Sequence, residues 1–121
     1  MEAKSVPLGP SDRALALEAI QSECEHESWT LHAAHVRSTH VHVVVAAQVP
    51  PEQVMGKLKA YASRALNRAD GQTAKRWARH GSTIYLWTAA QVYDAVEYVY
   101  TRQGEPMARF LNAWLWPQFV D

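Results

Sequence analysis

The chain has 121 residues, 48% of them hydrophobic, and a formal net charge of zero. That is enough for one domain around one core, and no apolar run reaches the roughly 18–20 residues of a membrane span. Cys24 is the only cysteine, which excludes an internal disulfide and makes a reducing cytoplasm the expected setting. Residues 1–10 have no charged-then-apolar pattern, so no signal peptide is expected.

Charge is unevenly spread. Residues 1–30 hold six acids and two bases, whereas residues 57–80 hold seven bases and only Asp70 as an acid. A basic middle in a neutral chain can bind a polyanion locally, or form an ordinary solvated helix face followed by a basic loop.

Pro7, Gly9 and Pro10 make residues 1–10 irregular. Ser11 is the expected cap of a first helix reaching Cys24 or Glu27, with Leu17, Ile20 and Cys24 on its inner side. Cys24 is read as a core residue. Trp29–Val36 and His40–Ala47 are expected strands, rich in β-branched residues. The short Arg37-Ser38-Thr39 link makes them antiparallel. By strand parity His32 and His35 fall on opposite faces, in structural or surface roles. On the second strand Ser38, His40, His42 and Val44 share a face, while Thr39, Val41, Val43 and Val45 point into a core.

Pro50-Pro51-Glu52 opens a second helix to about Asn67, buried through Val54, Met55, Leu58, Ala62, Ala65 and Leu66. Lys57, Arg64 and Arg68 fall near one another on a more exposed face. Residues 68–82 read as a basic loop carrying Trp77, a side chain suited either to stacking on an unpaired base or to plugging the core edge. Thr83–Trp87 reads as a third short strand. Thr88 with Gln91 is a capping-box pattern for a helix from Ala89 to about Gln103, stopped by Gly104 and Pro106. Residues 107–121, with Trp114, Trp116 and Phe119, are too apolar for a free tail and are expected to pack on the domain or on a partner chain. The chain thus divides into an irregular 1–10, a domain over 11–106 and an apolar 107–121.

His40 and His42, side by side on one strand face, can hold a divalent metal if other groups complete the site. Tyr98 lies on the last helix, one turn beyond Asp94. A phenol is a weak nucleophile until deprotonated, with a free pKa of about 10, and a metal can stabilise the charge that builds when it attacks a phosphodiester. Other His-x-His enzymes fit less well. A histidine-triad hydrolase needs a third alternate histidine, where this chain has Val44. An amidohydrolase barrel needs roughly twice the length. A cupin needs more strands and a carboxylate beyond the histidines that Glu52, at a helix start, does not provide.

Four stretches, in order, resemble the single-tyrosine HUH transposases, which include small insertion-sequence transposases and REP-associated tyrosine transposases. They are Val36-Arg-Ser-Thr-His-Val-His-Val-Val-Val45, Leu58-Lys-Ala-Tyr-Ala-Ser-Arg-Ala-Leu-Asn67, Arg76-Trp-Ala-Arg-His-Gly-Ser-Thr-Ile-Tyr-Leu-Trp87 and Glu97-Tyr-Val-Tyr-Thr-Arg-Gln-Gly104. The resemblance covers roughly residues 11–106. It implies an α+β, ferredoxin-like antiparallel sheet with helices on one face and the histidines on a central strand, here without the family's first strand. It implies Mg²⁺ or Mn²⁺ on His40 and His42, and Tyr98 as the nucleophile that cuts single-stranded DNA beside a hairpin, keeps a 5′-phosphotyrosine and frees a 3′-hydroxyl for rejoining. The family's third ligand is a polar residue one turn after the tyrosine. That position is Arg102 here, which leaves Gln103, Asp94 or water. Tyr100 and Tyr61 are the other tyrosines considered as nucleophile. Lys57, Lys59, Arg64, Arg76 and Arg79 would hold DNA phosphates, with Trp77 beside them. Some members form dimers in which each tyrosine helix serves the partner's histidines, and a homodimer is expected here. A domesticated derivative that binds hairpin DNA or RNA without cutting is the alternative.

Overall fold

The helices start where the sequence offers a proline or a cap. The computed structural model describes residues 7–71 and 85–121. Helix α1 (Pro10–Glu27) begins after Gly9, in extended conformation, with Pro10 in its first turn. Ser11, the expected cap, lies inside that turn instead. Proline's fixed φ suits the first helical position, where its missing N–H has no partner to lose. Helix α2 (Pro51–Asp70) starts the same way and runs past Asn67 to Asp70. It ends where Gly71 takes a left-handed φ of 70°, which glycine adopts without steric cost. Helix α3 (Ala89–Thr101) has the anticipated capping box. Thr88 Oγ1 accepts from the Gln91 N–H at 3.1 Å, and Gln91 Oε1 accepts from the Thr88 N–H at 3.1 Å.

Strands β1 (Thr30–Val36) and β2 (Val41–Ala46) form an antiparallel hairpin. The turn closes where the Arg37 N–H donates to His40 O at 2.8 Å, and the Leu8 N–H ties the start of the chain to Ser38 O at 2.7 Å. The third strand is β3 (Ala108–Leu111), antiparallel to β1. Thr83–Trp87, where a strand was expected, lies partly outside the described residues, and Tyr85–Trp87 is irregular. The order is β2-β1-β3. Among the described residues β1 is therefore central and the histidine strand β2 is an edge, because β3 takes the far side of β1.

The α+β class is as expected, with helices on both faces of the sheet rather than on one. Helices α1 and α2 cover one face, where Ile20, Leu58, Ala62 and Leu66 meet Leu31, Ala34 and Val36, and Val41, Val43 and Val45 pack against them. Helix α3 covers the other face, where Val96 and Val99 meet Ala33 and Val44, flanked by Trp116 and Phe119. The β2 alternation follows the sequence reading, with Val44 on one face and its odd-numbered neighbours on the other. The β1 alternation does not. A bulge between Leu31 and Ala33 adds one residue and reverses parity upstream. It turns His32 to the α3 face, where His32 Nδ1 accepts from Trp116 Nε1–H at 2.9 Å. His32 and His35 therefore share a face. Asn112, just past β3, satisfies the bulge. Its Nδ2 donates to Leu31 O at 3.2 Å and its backbone N–H to His32 O at 2.9 Å. Among the described residues no helix is long and apolar enough to cross a membrane.

Candidate active site

Three side chains from two elements meet on the α3 face of the sheet. His40 ends the turn before β2, and His42 lies on β2. Their rings are nearly parallel, tilted 15°, with centroids 6.5 Å apart. Tyr98, on α3, presents its ring edge-on to His42, with centroids 6.3 Å apart and planes at 89°. The sheet and helix periods account for the meeting. Val44 and His42 alternate onto the α3 face, and the buried Val96 and Val99 seat the helix so that Tyr98 lies at its margin, 53% exposed. Thr39 Oγ1 is 3.0 Å from His40 Nδ1, so the other ring nitrogen of His40 remains for a further partner.

Electrostatics favours neutral imidazole at His42. Its pKa is pushed down, first by burial and then by the charges of His40 and Arg37. Neutral imidazole is the form that ligates a metal. Arg37 donates to Glu105 O at 3.1 Å. Sequence reasoning passed over this cation because it sits in a tight turn, outside the basic stretch.

The last carbonyls of α3, Val99 O and Tyr100 O, are taken up by side chains from elsewhere in the fold, as helix ends require. Val99 O accepts from His35 Nδ1 at 3.2 Å, and Tyr100 O accepts from Arg109 at 2.7 Å. Tyr98 O accepts from the Arg102 N–H and from Gln103 Nε2, at 3.1 and 3.2 Å. Gln103 is thus placed beside Tyr98 through that helix-end bond. Tyr100 lies under the Arg109 guanidinium, 4.1 Å from its ring centroid, and Arg102 pairs with Glu97 at 3.0 Å. Asp94 lines the groove shared by His42 and Tyr98, a space of about 820 Å³ along the outer side of β2. Among the described residues no group of three or more His, Cys, Asp or Glu is arranged to hold a metal ion.

The structure does not bring the α2 residues to this point. Lys57 bonds Glu27 of α1, Arg64 lies 4.9 Å over the Tyr61 ring, and Tyr61 lines a groove against α1. All belong to the layer across the sheet from α3. Lys59 is half-buried, and burial lowers its pKa. Arg76, Trp77 and Arg79 lie outside the described residues. Cys24 is buried, its thiol pushed up to about 11 by burial and by Glu23, consistent with a core role.

His40 in the turn before β2, His42 on β2 and Tyr98 on α3 thus lie together on one side of an α+β sheet. The family model described as transposase IS200 like matches residues 8–100, and the chain belongs to that family. The match runs from just before α1 through Tyr98, and leaves β3 and everything after it outside. Membership identifies a transposase, a protein that acts on DNA, in a family that commonly uses divalent metal ions. Neither a curated protein nor a solved structure matches the chain.

Proposed function

We propose that the chain cuts and rejoins single-stranded DNA beside hairpins through a covalent bond to Tyr98. The observation that carries this reading is the Tyr98 ring edge-on to His42, contributed by elements far apart in the chain. In the first step the Tyr98 phenol loses its proton to solvent, which its exposure permits, and its oxygen attacks phosphorus. The bond to the 3′-oxygen breaks and that oxygen takes up a proton. A 5′-phosphotyrosine and a free 3′-hydroxyl remain. Attack by a 3′-hydroxyl on the phosphotyrosine reverses the step and restores Tyr98.

His40 and His42 fit a divalent ion, Mg²⁺ or Mn²⁺, by chemistry and by face. Imidazoles sharing one ion place their centroids about 5 Å apart. The exposed His40 ring has room to close the remaining distance from 6.5 Å. Bound there, the ion would polarise the phosphate and stabilise charge on it. Gln103, whose amide nitrogen already donates to Tyr98 O, keeps its amide oxygen as the candidate third ligand. Arg37, in the turn that leads to His40, is a candidate phosphate contact beside the site, whereas Lys57, Lys59 and Arg64 of α2 lie across the sheet and would contact only phosphates remote from Tyr98. The outer edge of β2, which has no strand partner among the described residues, gives a second copy backbone to pair with, so a homodimer belongs to this reading.

The test is a denaturing gel for a protein–DNA adduct on labelled single-stranded hairpins with Mn²⁺. An adduct in the parent that disappears in both Tyr98→Phe and His42→Ala is the expected result. An adduct that survives in Tyr98→Phe moves the nucleophile elsewhere. No adduct, with salt-dependent retention of hairpins, replaces cutting with binding alone.

A further inference from the structure

Among the described residues His35 is the most buried titratable side chain on the site's face of the sheet, 1% exposed. It stands directly opposite His42 in the β1–β2 ladder, and both its ring nitrogens are engaged. Nε2 accepts from the Met107 N–H at 2.9 Å, so it carries no proton there, and Nδ1 donates to Val99 O at 3.2 Å. One neutral tautomer thus links three elements: β1, the last turn of α3 and the segment entering β3. The carbonyl it holds belongs to the residue after Tyr98.

The placement has a consequence for Tyr98. An exposed tyrosine at a helix margin is located by its backbone, since few neighbours surround its ring. Val96 and Val99 fix the depth of α3 on the sheet, but apolar contacts are not directional. A hydrogen bond from a ring on β1 to Val99 O fixes rotation and axial position. Because β1 also pairs His35 with His42, the same ring references the helix to the histidine strand. Arg109 restrains Tyr100 O from β3, farther from the histidines.

We propose that His35 is a positioning residue. Through its Nδ1–H···O bond to Val99 it holds Tyr98 against His42, and so sets the rate of strand cleavage without touching DNA. The proposal rests on Tyr98 being the nucleophile only for its kinetic consequence; the structural part stands without it.

Three variants of the full chain separate the bonds. The Asn side-chain nitrogen falls where Nδ1 is, so His35→Asn keeps the donor to Val99 and loses the acceptor for Met107. The Gln side-chain oxygen falls where Nε2 is, so His35→Gln does the reverse. His35→Phe keeps the bulk and loses both. Two quantities are read in each: the nuclear Overhauser effect between the Tyr98 and His42 rings, and the single-turnover rate of adduct formation on hairpin DNA with Mn²⁺. Melting temperature and DNA affinity are measured alongside. In His35→Phe the ring–ring signal is expected to vanish and the rate to fall at least tenfold, with DNA affinity within twofold of the parent. His35→Asn should restore both quantities to within about threefold of the parent, and His35→Gln should not, whatever their order of melting temperature. Rates and ring signals that instead follow melting temperature across the variants, or an unchanged ring signal in folded His35→Phe, overturn the proposal. If His35→Phe does not fold, the Asn and Gln pair decides. If the parent forms no adduct, the cutting reading fails, and the ring signal alone still decides the role of His35.

Discussion

The two faces of the sheet are built on different physics. On the α1–α2 face a broad apolar core is closed by long helices, and charged groups lie mostly at its rim, as Lys57 with Glu27 and Arg64 over Tyr61, with Glu23 of α1 the buried exception among the described residues. On the α3 face the apolar cluster is small, and polar side chains do much of the positioning: His35 to Val99, Arg109 to Tyr100, Trp116 to His32. The difference teaches where an exposed polar group can be held in a defined place. A close-packed apolar face supplies stability but leaves no exposed polar atom at a defined place. The α3 face gives up apolar area, and in return places Tyr98 half in solvent with its ring edge-on to His42.

That division is broken most sharply by two substitutions read for both stability and activity. Tyr98→Phe should remove the adduct entirely while shifting unfolding free energy by less than about 0.5 kcal/mol, as for other exposed positions. Leu58→Ala, at a fully buried site where α2 meets α1, should cost about 2–5 kcal/mol. The fraction of chains that remain folded should still react normally. Denaturant titration with active-site counting by adduct formation checks both. A large loss of stability in Tyr98→Phe, or a loss of rate per folded molecule in Leu58→Ala, would mean that the faces are not separable.

The sequence legibly carried what depends on local periodicity. The β2 alternation, the capping box at Thr88 and the Val96–Val99 stripe follow from spacing; His40, His42 and Tyr98 are singled out by strand parity and by the family motif, and the rings of His40 and His42, and of His42 and Tyr98, lie beside one another. What spacing could not carry is set by long-range pairing. The bulge at His32 reverses parity through one extra residue, and no residue type in Leu31-His32-Ala33 announces it. Its partner Asn112 lies some eighty residues away. Strand β3 is four residues long and includes Arg109, too short for alternation to register, so residues 107–121 were legible as apolar but not as a strand. His35 reads from the sequence only as structural or surface, because its partners are backbone atoms and a sequence motif does not display those. The α2 cations were grouped with the site by family pattern, whereas the sheet lies between them and the histidines.

A smaller test concerns how the α3 face meets β1. Asn112→Ala strips the amide donor from Leu31 O at the bulge and should cost about 1 kcal/mol, the usual net value of a hydrogen bond. It should also weaken the His32–Trp116 contact, visible as a change in tryptophan fluorescence. An unchanged stability would mean that solvent satisfies the bulge as well as Asn112 does.

The gentlest way to separate the faces is acid. His32, His35 and His42 all have their pKa pushed down, in each case chiefly by burial, and all three lie on the α3 side. In the unfolded chain each titrates near its ordinary value of about 6.5. Between that value and the lower folded value the unfolded state binds more protons, so stability rises with pH across the interval. The contribution is complete above about pH 6.5 and is lost as pH falls through the folded values. Without metal, melting temperature should be flat from pH 8 to 7 and decline below 6.5. The loss should also be local. Amides of α3 should gain hydrogen exchange before those of α2, because protonating His35 adds a charge in a buried place and removes the acceptor that Met107 uses. His35→Asn, which cannot titrate, should reduce the slope. If α2 opens first in acid, the α3 histidines are not the groups that yield, and the polar clamps contribute less to holding that face than the apolar cluster beneath them.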